Sequence, residues 1–269
     1  MTYHIFIGYD EREHEPFLVA KHSLEKRATV PVKVHKLHHR ELRSSGLFTR
    51  EWEIKANGQY VDKVDGKPFS TQFSHSRFLL PTLWKNLPDP TKSPLVMFVD
   101  CDFAWMEDIG EMFNEIERKK IQSHIKHPIY CVKHDYQPQS QFKMDNCEQH
   151  AYNMKLWSAM FVFDMEHKDN DKLTPDIVNT ETGRFLHNFG WVEDVNTIEG
   201  ISHKWQYIPN HSEKYSKDIG CVHWTEGGAW FPNYRNCKFA DFWWDELNDY
   251  YSSKIKSSRF DVQGIVDGT

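Results

Sequence analysis

The chain has 269 residues, of which 39% are hydrophobic, and a net charge of −6. This length allows one large α/β domain or two small ones, with enough apolar residues to build a core. The negative charge and the lack of a long Lys/Arg run argue against an electrostatic grip on nucleic acid or on an anionic membrane.

The five cysteines argue against a disulfide framework or a structural zinc site, because their number is odd and no pair has the CxxC spacing. The first residues, MTYHIFIGYD, lack the cationic start and the long apolar stretch of a signal peptide. No apolar run approaches the roughly 20 residues that span a bilayer. We therefore expect a soluble, reduced, cytoplasmic protein without a transmembrane segment.

The N-terminal elements predict a doubly wound α/β sheet. YHIFIGYD is a strand that ends at Gly8, EHEPFLVAKHSLEKRA is an amphipathic helix, and VPVKVHKL is a second strand. Strand, helix and strand in this order begin a parallel sheet. Residues 49–70 are polar and alternating, with turn signals at Asn57-Gly58 and Asp65-Gly66, and predict an inserted hairpin.

The later elements continue this alternation. STQFSHSRFLLPTLWKNL and DIGEMFNEIERKK predict helices, and LVMFVDCD, IYCVKHD and LWSAMFVFDM predict strands. A polar loop runs to Gln149, and LTPDIVNTETGRFLHNF predicts a helix that begins near Thr174-Pro175. We expect a single domain over residues 1–250, followed by a polar, exposed tail over residues 251–269.

Asp100 and Asp102 follow the apolar run LVMFV and are separated by Cys101. Side chains alternate along a strand, so the two carboxylates point the same way and repel each other unless a cation lies between them. Such a pair also occurs by chance, as two solvated acids in a turn. In open α/β sheets ligands bind at the carboxyl ends of strands, and hard oxygen ligands suit Mg²⁺ or Mn²⁺.

The segment CVHWTEGGAWF, residues 221–231, is the second candidate. His223 either completes a metal shell or is a buried histidine beside an aromatic cluster. Gly227 and Gly228 form a plain turn or let the backbone approach a phosphate or sugar.

The loop GYDERE after the first strand is the third candidate, because it lies at the nucleotide side of a doubly wound fold. The ring of Tyr9 could stack on a base, and Asp10 could accept a hydrogen bond from a base or ribose. Neither G-x-G-x-x-G nor a P-loop motif is present.

The order and spacing of IFIGYDEREHEPFLVAKHSL, STQFSHSRFLLP, MFVDCDF and VHWTEGGAWF resemble the GT-A-type glycosyltransferases. The resemblance is to the bacterial and phage branch related to glycosyltransferase family eight, and it covers residues 3–244. It implies a GT-A-type, Rossmann-like α/β fold, with a mixed, mostly parallel sheet flanked by helices and a hairpin inserted near residues 50–70.

The resemblance also implies roles for individual residues. Asp100 and Asp102 match the aspartates that hold a divalent cation, usually Mn²⁺ and otherwise Mg²⁺, and His223 matches the histidine that completes its shell. Arg77 matches an arginine that contacts the sugar or phosphates of the donor, or forms a helix-surface salt bridge. The whole predicted nucleotide-sugar-binding set is Gly8, Tyr9, Asp10, Arg77, Asp100, Cys101, Asp102, Asp135, Gly227 and Gly228.

One departure from the family pattern concerns the phosphates. Family-eight enzymes commonly carry a phosphate-binding lysine shortly after the histidine, whereas this chain has Gly-Gly-Ala-Trp there. The phosphate charge must then be met by the metal, by Arg77 or by another basic residue.

WVEDVNTI resembles the family segment that lies beneath the anomeric carbon, so Asp194 is the first candidate for the catalytic carboxylate and Glu193 the second. Either acid could instead be a helix cap or a solvated loop acid. Asp135 could bind donor or acceptor hydroxyls, or cap a turn. The acceptor-stacking candidates, which are equally compatible with a place in the core, are Trp157, Trp205 and Trp230.

The predicted function is metal-dependent transfer of a sugar from a nucleotide-diphosphate-sugar donor, with a UDP-sugar as the leading expectation. The acceptor is a hydroxyl of a saccharide or other molecule; phage relatives add a modified DNA base, which the negative charge does not support. The resemblance implies retention of the anomeric configuration. The alternatives are a nucleotidyltransferase, whose Gly-rich basic loop is missing, and a non-catalytic sugar-binding module, which has no use for clustered acids.

Overall fold

The computed structural model describes residues 1–136, 142–143, 147–148 and 154–266. Most of the predicted polar loop that ends at Gln149 lies outside these residues. The strands are β1 Thr2–Tyr9, β2 Val32–His38, β3 Trp52–Ile54, β4 Tyr60–Asp62, β5 Pro68–Phe69, β6 Lys92–Val99, β7 Phe103–Trp105, β8 Ile129–Cys131, β9 Phe142–Lys143, β10 Cys147–Glu148, β11 Met160–Asp164, β12 Glu199–Gly200 and β13 Cys221–His223. The α-helices are α1 His14–Arg27, α2 His39–Ser44, α3 Leu80–Lys85, α4 Ile109–Gln122, α5 Pro175–Thr180, α6 Gly183–His187 and α7 Ala240–Val266.

The main sheet has the strand order β12-β8-β11-β6-β1-β2. The pairs β1–β2, β1–β6 and β8–β12 are parallel, and only β11 runs against its neighbours β6 and β8. The central strands β6 and β11 are buried almost throughout, as their apolar runs require when both faces of a sheet are covered. The predicted mixed, mostly parallel sheet is confirmed.

The predicted hairpin is present as a small antiparallel sheet of β3, β4 and β5. Arg50, just before β3, forms a buried ion pair with Asp62 at the end of β4, with 2.6 Å between Nη2 and Oδ2. The same guanidinium donates to the backbone carbonyls of Val178 and Glu181. The hairpin is therefore fastened to the α5 region through one buried charge pair.

Two predicted helices differ from the structure. The helix predicted from Ser70 begins only with the 3₁₀ turn Ser76–Leu79, because the backbone N–H of Gln72 is bound by Asp10 and residues 71–74 form a turn. The helix predicted from Thr174 is split into α5 and α6. Thr174 and Thr182 each cap one of them with a side-chain hydroxyl.

Helix α7 runs without a break from Ala240 to Val266 and so crosses the predicted boundary at residue 250. Its early turns bury Trp243 and Leu247 in a cluster with Val19 of α1. The first turns of this helix belong to the packed structure, and the division of the chain at residue 250 stays a prediction. Among the described residues, no helix combines the length and the apolar character that a bilayer crossing requires.

A separate two-stranded ladder brings distant parts of the sequence together. β7 pairs antiparallel with β13, and His223 lies opposite Phe103, the residue after Asp102. The backbone N–H of Trp224 donates to the carbonyl of Asp102 at 3.1 Å. This ladder continues directly from the carboxyl end of β6, so it fixes the C-terminal histidine beside the aspartate pair.

We predict that Gly8→Ala lowers the free energy of unfolding by about 1–3 kcal/mol, because a Cβ at Gly8 would lie 2.5 Å from the ring of Phe73. Gly200→Ala is the matched control: it is also in the main sheet, and a Cβ there would meet nothing closer than 3.6 Å. Urea unfolding measures both. A Gly8→Ala protein as stable as the wild type would contradict this packing role for Gly8.

Candidate functional site

The site is built at the carboxyl end of β6, where Asp100 and Asp102 follow the strand. The backbone N–H of Asp100 donates to the carbonyl of Ala159 at 2.8 Å, which continues the β6–β11 pairing by one residue. Asp102 is 9% exposed, although it is a carboxylate. Both acids are thus held by backbone contacts and are partly dehydrated, at a strand end of the kind that binds ligands in open α/β sheets.

Asp100, Asp102 and His223 converge, with one ligand atom from each lying within 4.8 Å of the others. His223 Nε2 lies 3.5 Å from Asp102 Oδ1, and the imidazole stacks on Phe103 at 4.2 Å between ring centroids. A cation of Mn²⁺ size places opposite ligands about 4.4 Å apart, so one ion could touch all three. The residues therefore fit the metal that the sequence predicts.

A second acidic group, His22, Glu246 and Asp249, has ligand atoms equally close together. It lies between α1 and α7, and Lys26 Nζ is 2.6 Å from Asp249 while Arg27 binds Glu246. These cations already compensate the carboxylates. Proximity of acids therefore does not by itself distinguish a metal site, and the location at the strand end does.

Arg77 places a buried positive charge on the core side of Asp100. Its Nη1 lies 2.7 Å from Asp100 Oδ1 and donates to the carbonyl of Ser158 at 2.6 Å, while Nε donates to the carbonyl of Ser74. The guanidinium is 4% exposed and lies over two phenylalanine rings. Its partners are therefore the first aspartate and the backbone, and the predicted contact with the donor's sugar or phosphates stays a prediction.

Gln206 is the contact of His223 on the side away from Asp102. It is fully buried; its Nε2 donates to the carbonyl of Leu156 at 3.0 Å and lies 3.3 Å from His223 Nδ1. His134 Nε2 donates to the backbone carbonyl of Gln206 at 3.0 Å. Burial, followed by the neighbouring imidazoles, lowers the pKa of His134 to about 3. A neutral, packed network thus orients the third candidate ligand.

Asp10 does not have the role that the sequence predicts. It is fully buried, and its Oδ1 accepts from the backbone N–H and the Nε of Arg12, while Oδ2 accepts from Arg12 Nη2 and the N–H of Gln72. Four donors occupy the carboxylate, so binding a base or ribose would break existing contacts. The prediction is corrected: Asp10 caps the turn after β1 and holds Arg12.

Tyr9 and Cys101 also have partners within the protein. The hydroxyl of Tyr9 shares a hydrogen bond with His14 Nδ1 at 3.1 Å. Lys36 Nζ lies 4.8 Å from the ring centroid of Tyr9. Tyr9 remains half-buried, so its predicted stacking on a base stays a prediction. Cys101 is 1% exposed and its thiol contacts Glu13, with burial raising its pKa. Its side chain belongs to the core, and its predicted ligand contact is corrected.

The two glycines after β13 serve the turn itself. Gly227 has a φ of +134°, which only glycine adopts readily, and a Cβ there would lie 2.8 Å from Tyr234. A Cβ on Gly228 would overlap the ring of Trp230 at 1.9 Å. The turn therefore requires both glycines for packing, whatever ligand it contacts.

Asp135 lies near the carboxyl end of β8 and is mostly exposed. Its carboxylate is 3.4 Å from His211 Nε2 and 3.5 Å from Lys214 Nζ. A hydrogen bond from Tyr215 and the charge of Lys214 lower its pKa. Its predicted role toward sugar hydroxyls stays a prediction.

The antiparallel course of β11 carries the chain away from the aspartate pair. Met160 lies opposite Val99, beside Asp100, whereas Asp164 lies opposite Leu95. Four residues of strand span about 13 Å, so the chain after Asp164 continues from the far end of the sheet.

Glu193 and Asp194 lie at that far end. The backbone N–H of Glu193 binds Asp169, and its carboxylate pairs with Lys168 at 3.5 Å, both in the 3₁₀ turn that follows β11. Asp194 caps its own short turn, which is tied through the carbonyl of Thr197 to the residues before β8. The predicted catalytic assignment is therefore corrected: the structure brings neither acid to the aspartate pair.

The three acceptor-stacking tryptophans differ in their environments. Trp205 is 1% exposed and donates to Glu115 of α4, so its predicted role is corrected to a core residue. Trp157 is half-buried and donates to the carbonyl of His134. Trp230 packs among the aromatic rings of the C-terminal helix. For Trp157 and Trp230 sugar stacking stays a prediction.

Sequence reasoning did not identify Gln206, Ser158 or His187 as parts of this site. Ser158 accepts from Arg77 through its carbonyl, and its hydroxyl lies 2.7 Å from His187 Nδ1. The position of Ser158 inside the predicted strand LWSAMFVFDM was the available signal. The other two residues carry no local pattern, because their partners are distant in sequence.

Comparison with known proteins gives one relative and several structures. Protein CDI of Arabidopsis thaliana is 37% identical over 260 residues, covering 95% of this chain and 90% of that protein. The apo structure of the bifunctional glycosyltransferase WbbM matches with a TM-score of 0.54 and 12% identity over 93% of this chain, which spans 51% of WbbM. The galactosyltransferase LgtC, in complex with donor and acceptor sugar analogues, matches with a TM-score of 0.49 and 11% identity. The match covers 91% of this chain and 95% of LgtC.

The likeness to WbbM shows that the chain has the GT-A fold of these glycosyltransferases, as the sequence predicts. The fold is shared although the identity is low, because a fold depends on patterning more than on particular residues. No protein-family model matches the chain.

We predict that Arg77→Met destabilises the cation-free protein by about 3 kcal/mol, because it leaves the carboxylate of Asp100 without its buried partner. The double variant Arg77→Met/Asp100→Asn should recover much of this loss, since no uncompensated charge is then left. Urea unfolding in EDTA measures both proteins. Equal destabilisation of the single and the double variant would contradict the charge-pair account.

We predict that His134→Gln reduces the loss of stability in acid. The folded protein keeps His134 neutral down to a pKa of about 3, whereas the unfolded chain takes up a proton near pH 6.5. Stability therefore falls as the pH drops below 6.5, and His134 contributes roughly 2–3 kcal/mol of this fall by pH 4.5. Urea unfolding from pH 7.5 to 4.5 tests it; parallel curves for the two proteins would refute it.

Proposed function

Because this chain belongs to the family of Protein CDI and has the fold of GT-A glycosyltransferases, we propose that it transfers a sugar from a nucleotide-diphosphate-sugar donor to an acceptor hydroxyl. The observation that carries the proposal is the convergence of Asp100, Asp102 and His223 at the carboxyl end of β6. In open α/β sheets this is the edge at which ligands bind.

The three residues support a divalent cation as the cofactor. Two carboxylates provide hard oxygen ligands for Mn²⁺ or Mg²⁺, and the imidazole favours Mn²⁺. A bound cation would supply Lewis-acid stabilisation for the negative charge that develops on the departing nucleoside diphosphate.

The protein's own contribution is to hold these ligands in place in advance. Arg77 fixes Asp100 from the core side, and the backbone of Trp224 fixes the carbonyl of Asp102. Phe103 and Gln206 together set the plane of the His223 ring. Contacts of this kind around the ligands commonly change metal affinity 10- to 100-fold when they are removed.

The nucleotide end of the donor is proposed to lie along the loop after β1. Here the half-buried ring of Tyr9 is the candidate surface on which the base would stack. UDP-sugars are the first donors to test, as the family resemblance implied.

The proposed transfer retains the anomeric configuration. Retention in this chain does not use Asp194, which lies at the other end of the sheet. In a front-face reaction the departing phosphate takes the proton of the acceptor hydroxyl, so no carboxylate at that position is required. The anomeric signal of the product in a proton NMR spectrum distinguishes retention from inversion.

The first test is a thermal-shift and hydrolysis screen of UDP-, GDP-, ADP- and CMP-sugars with and without Mn²⁺. We expect one donor to stabilise the protein and to be slowly hydrolysed only when Mn²⁺ is present. Asp102→Asn should weaken the Mn²⁺-dependent response at least about tenfold, because it removes a charged ligand. Asp249→Asn, in the second acidic group, is the matched control and should behave as wild type.

The alternatives give different results when the screen also includes free saccharides, and a nucleoside triphosphate together with a sugar phosphate. A sugar-binding module would respond to free saccharides without Mn²⁺ and would keep its response in Asp102→Asn. A nucleotidyltransferase would release inorganic pyrophosphate from a nucleoside triphosphate and a sugar phosphate. Either result, or equal responses of Asp102→Asn and wild type, would contradict the proposed function.

A further inference from the structure

The two ring nitrogens of His223 face different partners. Nε2 lies 3.5 Å from Asp102 Oδ1, and Nδ1 lies 3.3 Å from Gln206 Nε2. A neutral imidazole carries its proton on one nitrogen only, and the hydrogen bond made by one nitrogen determines which of the two is protonated. A cation binds the nitrogen that has no proton. The contact with Gln206 therefore decides whether Nε2, on the side of the aspartates, is available to the proposed ion.

The carbonyl of Leu156 determines how the amide of Gln206 is oriented. Gln206 Nε2 donates to this carbonyl at 3.0 Å, and a carbonyl oxygen accepts only from the NH₂ end of an amide. The opposite orientation would set the amide oxygen against the carbonyl oxygen and would leave the carbonyl without its donor. Gln206 is fully buried, so this loss would be costly. The NH₂ group is therefore the end of the amide that faces His223.

This orientation selects one tautomer of His223. An amide NH₂ group has two protons, so one points to the carbonyl of Leu156 and the second is available to His223 Nδ1. A proton on Nδ1 would point at the NH₂ group, and two donors would then face each other. Nδ1 is thus the acceptor, and the proton of neutral His223 lies on Nε2, the nitrogen nearer to Asp102.

Backbone hydrogen bonds keep Gln206 beside the histidine. The N–H of His223 donates to the carbonyl of Tyr207 at 2.9 Å, and the N–H of Tyr207 donates to the carbonyl of Cys221 at 2.9 Å. Residues 206–207 therefore run alongside β13. The side chain of Gln206 and the ring of His223 are held in contact by the same pairing that places His223 at the aspartates.

The selected orientation has a cost for both residues that maintain it. Within the part of the chain that the structure describes, Gln206 Oε1 is buried and accepts no hydrogen bond. Leu156 has a φ of +70°, in the left-handed region that bulky residues rarely adopt. Such strain is often found at functional sites. A turn of the amide by 180° would bring its oxygen to Nδ1, which could then carry the proton and leave Nε2 free.

We propose that Gln206 is a positioning residue that keeps the proton of His223 on Nε2 and thereby restrains this histidine from binding a divalent cation. The inference rests on the proposed function and extends it, because it concerns how the third candidate ligand becomes available. Nε2 becomes a ligand only when its N–H bond is exchanged, through water, for an N–H bond at Nδ1. The ring stays neutral throughout, and Asp100 and Asp102 are unaffected by the exchange.

The first test is nitrogen NMR of the cation-free protein at slightly alkaline pH, in which couplings to the ring protons distinguish a protonated from an unprotonated ring nitrogen. The signals of His223 are those that disappear in His223→Asn. We expect the proton on Nε2 in the wild type and on Nδ1 in Gln206→Glu, whose side chain presents oxygen atoms in place of the NH₂ group. A proton on Nδ1 in the wild type would overturn the proposal.

The second test is calorimetric titration with Mn²⁺ in the absence of nucleotide. Gln206→Met should bind Mn²⁺ about tenfold more tightly than the wild type, because it removes the restraint without adding a charge. Gln59→Met is the matched control. Gln59 is also buried, and its Nε2 donates to the backbone carbonyls of Tyr60 and Phe69 in the hairpin sheet. This control should bind Mn²⁺ with the affinity of the wild type.

The outcomes separate this inference from the proposed function. If the wild type binds Mn²⁺ and Gln206→Met binds it equally or more weakly, the role of Gln206 is overturned and the proposed function stands. If neither protein binds Mn²⁺, both are overturned. Tighter binding by Gln206→Met, with the proton on Nε2 in the wild type, supports the inference whether or not a nucleotide sugar is hydrolysed. Thermal unfolding checks the fold of each variant; if Gln206→Met is unfolded, Gln206→Glu is titrated with the same criteria.

Discussion

Two carboxylates at the end of one strand repel each other, and the buried guanidinium of Arg77 is the cation that compensates the first of them. The pair is costly to dehydrate, but it is satisfied by backbone carbonyls from the segments before α3 and before β11. The charge on Asp100 therefore determines how the polypeptide around it is arranged. The carbonyls of Ser74 and Ser158 lie beside Arg77 because they accept the remaining hydrogen bonds of its guanidinium.

The second arm of the site depends on packing. The β7–β13 ladder fixes His223 beside Asp102, and the stacking on Phe103 fixes the plane of the ring. Tryptophan rings from the loop after β13 and from α7 cover this ladder. The candidate ligands are thus held by a charge pair on one side and by aromatic packing on the other, which is the rigid support that a metal site needs.

The wrong site predictions share a physical cause. Asp10 has the residue type and the position of a nucleotide-binding residue. Its carboxylate, however, already accepts hydrogen bonds from Arg12 and from the N–H of Gln72, 62 residues away. Trp205 has a ring suited to stacking, but a glutamate of α4 takes its indole N–H. Residue type and local spacing indicate what a side chain can do. Its hydrogen-bond partners decide whether it is available.

The sequence by itself determined the alternation of strands and helices, the inserted hairpin and the aspartate pair at a strand end. These features follow from local periodicity and turn chemistry, which neighbouring residues specify. Only the tertiary structure decided that Glu193 and Asp194 lie away from the pair, because Asp169 and Lys168 hold Glu193 beside the turn that follows β11. It also decided that Gln206 contacts His223 and so belongs to the site. Contacts between segments far apart in sequence leave no periodic signal in either one.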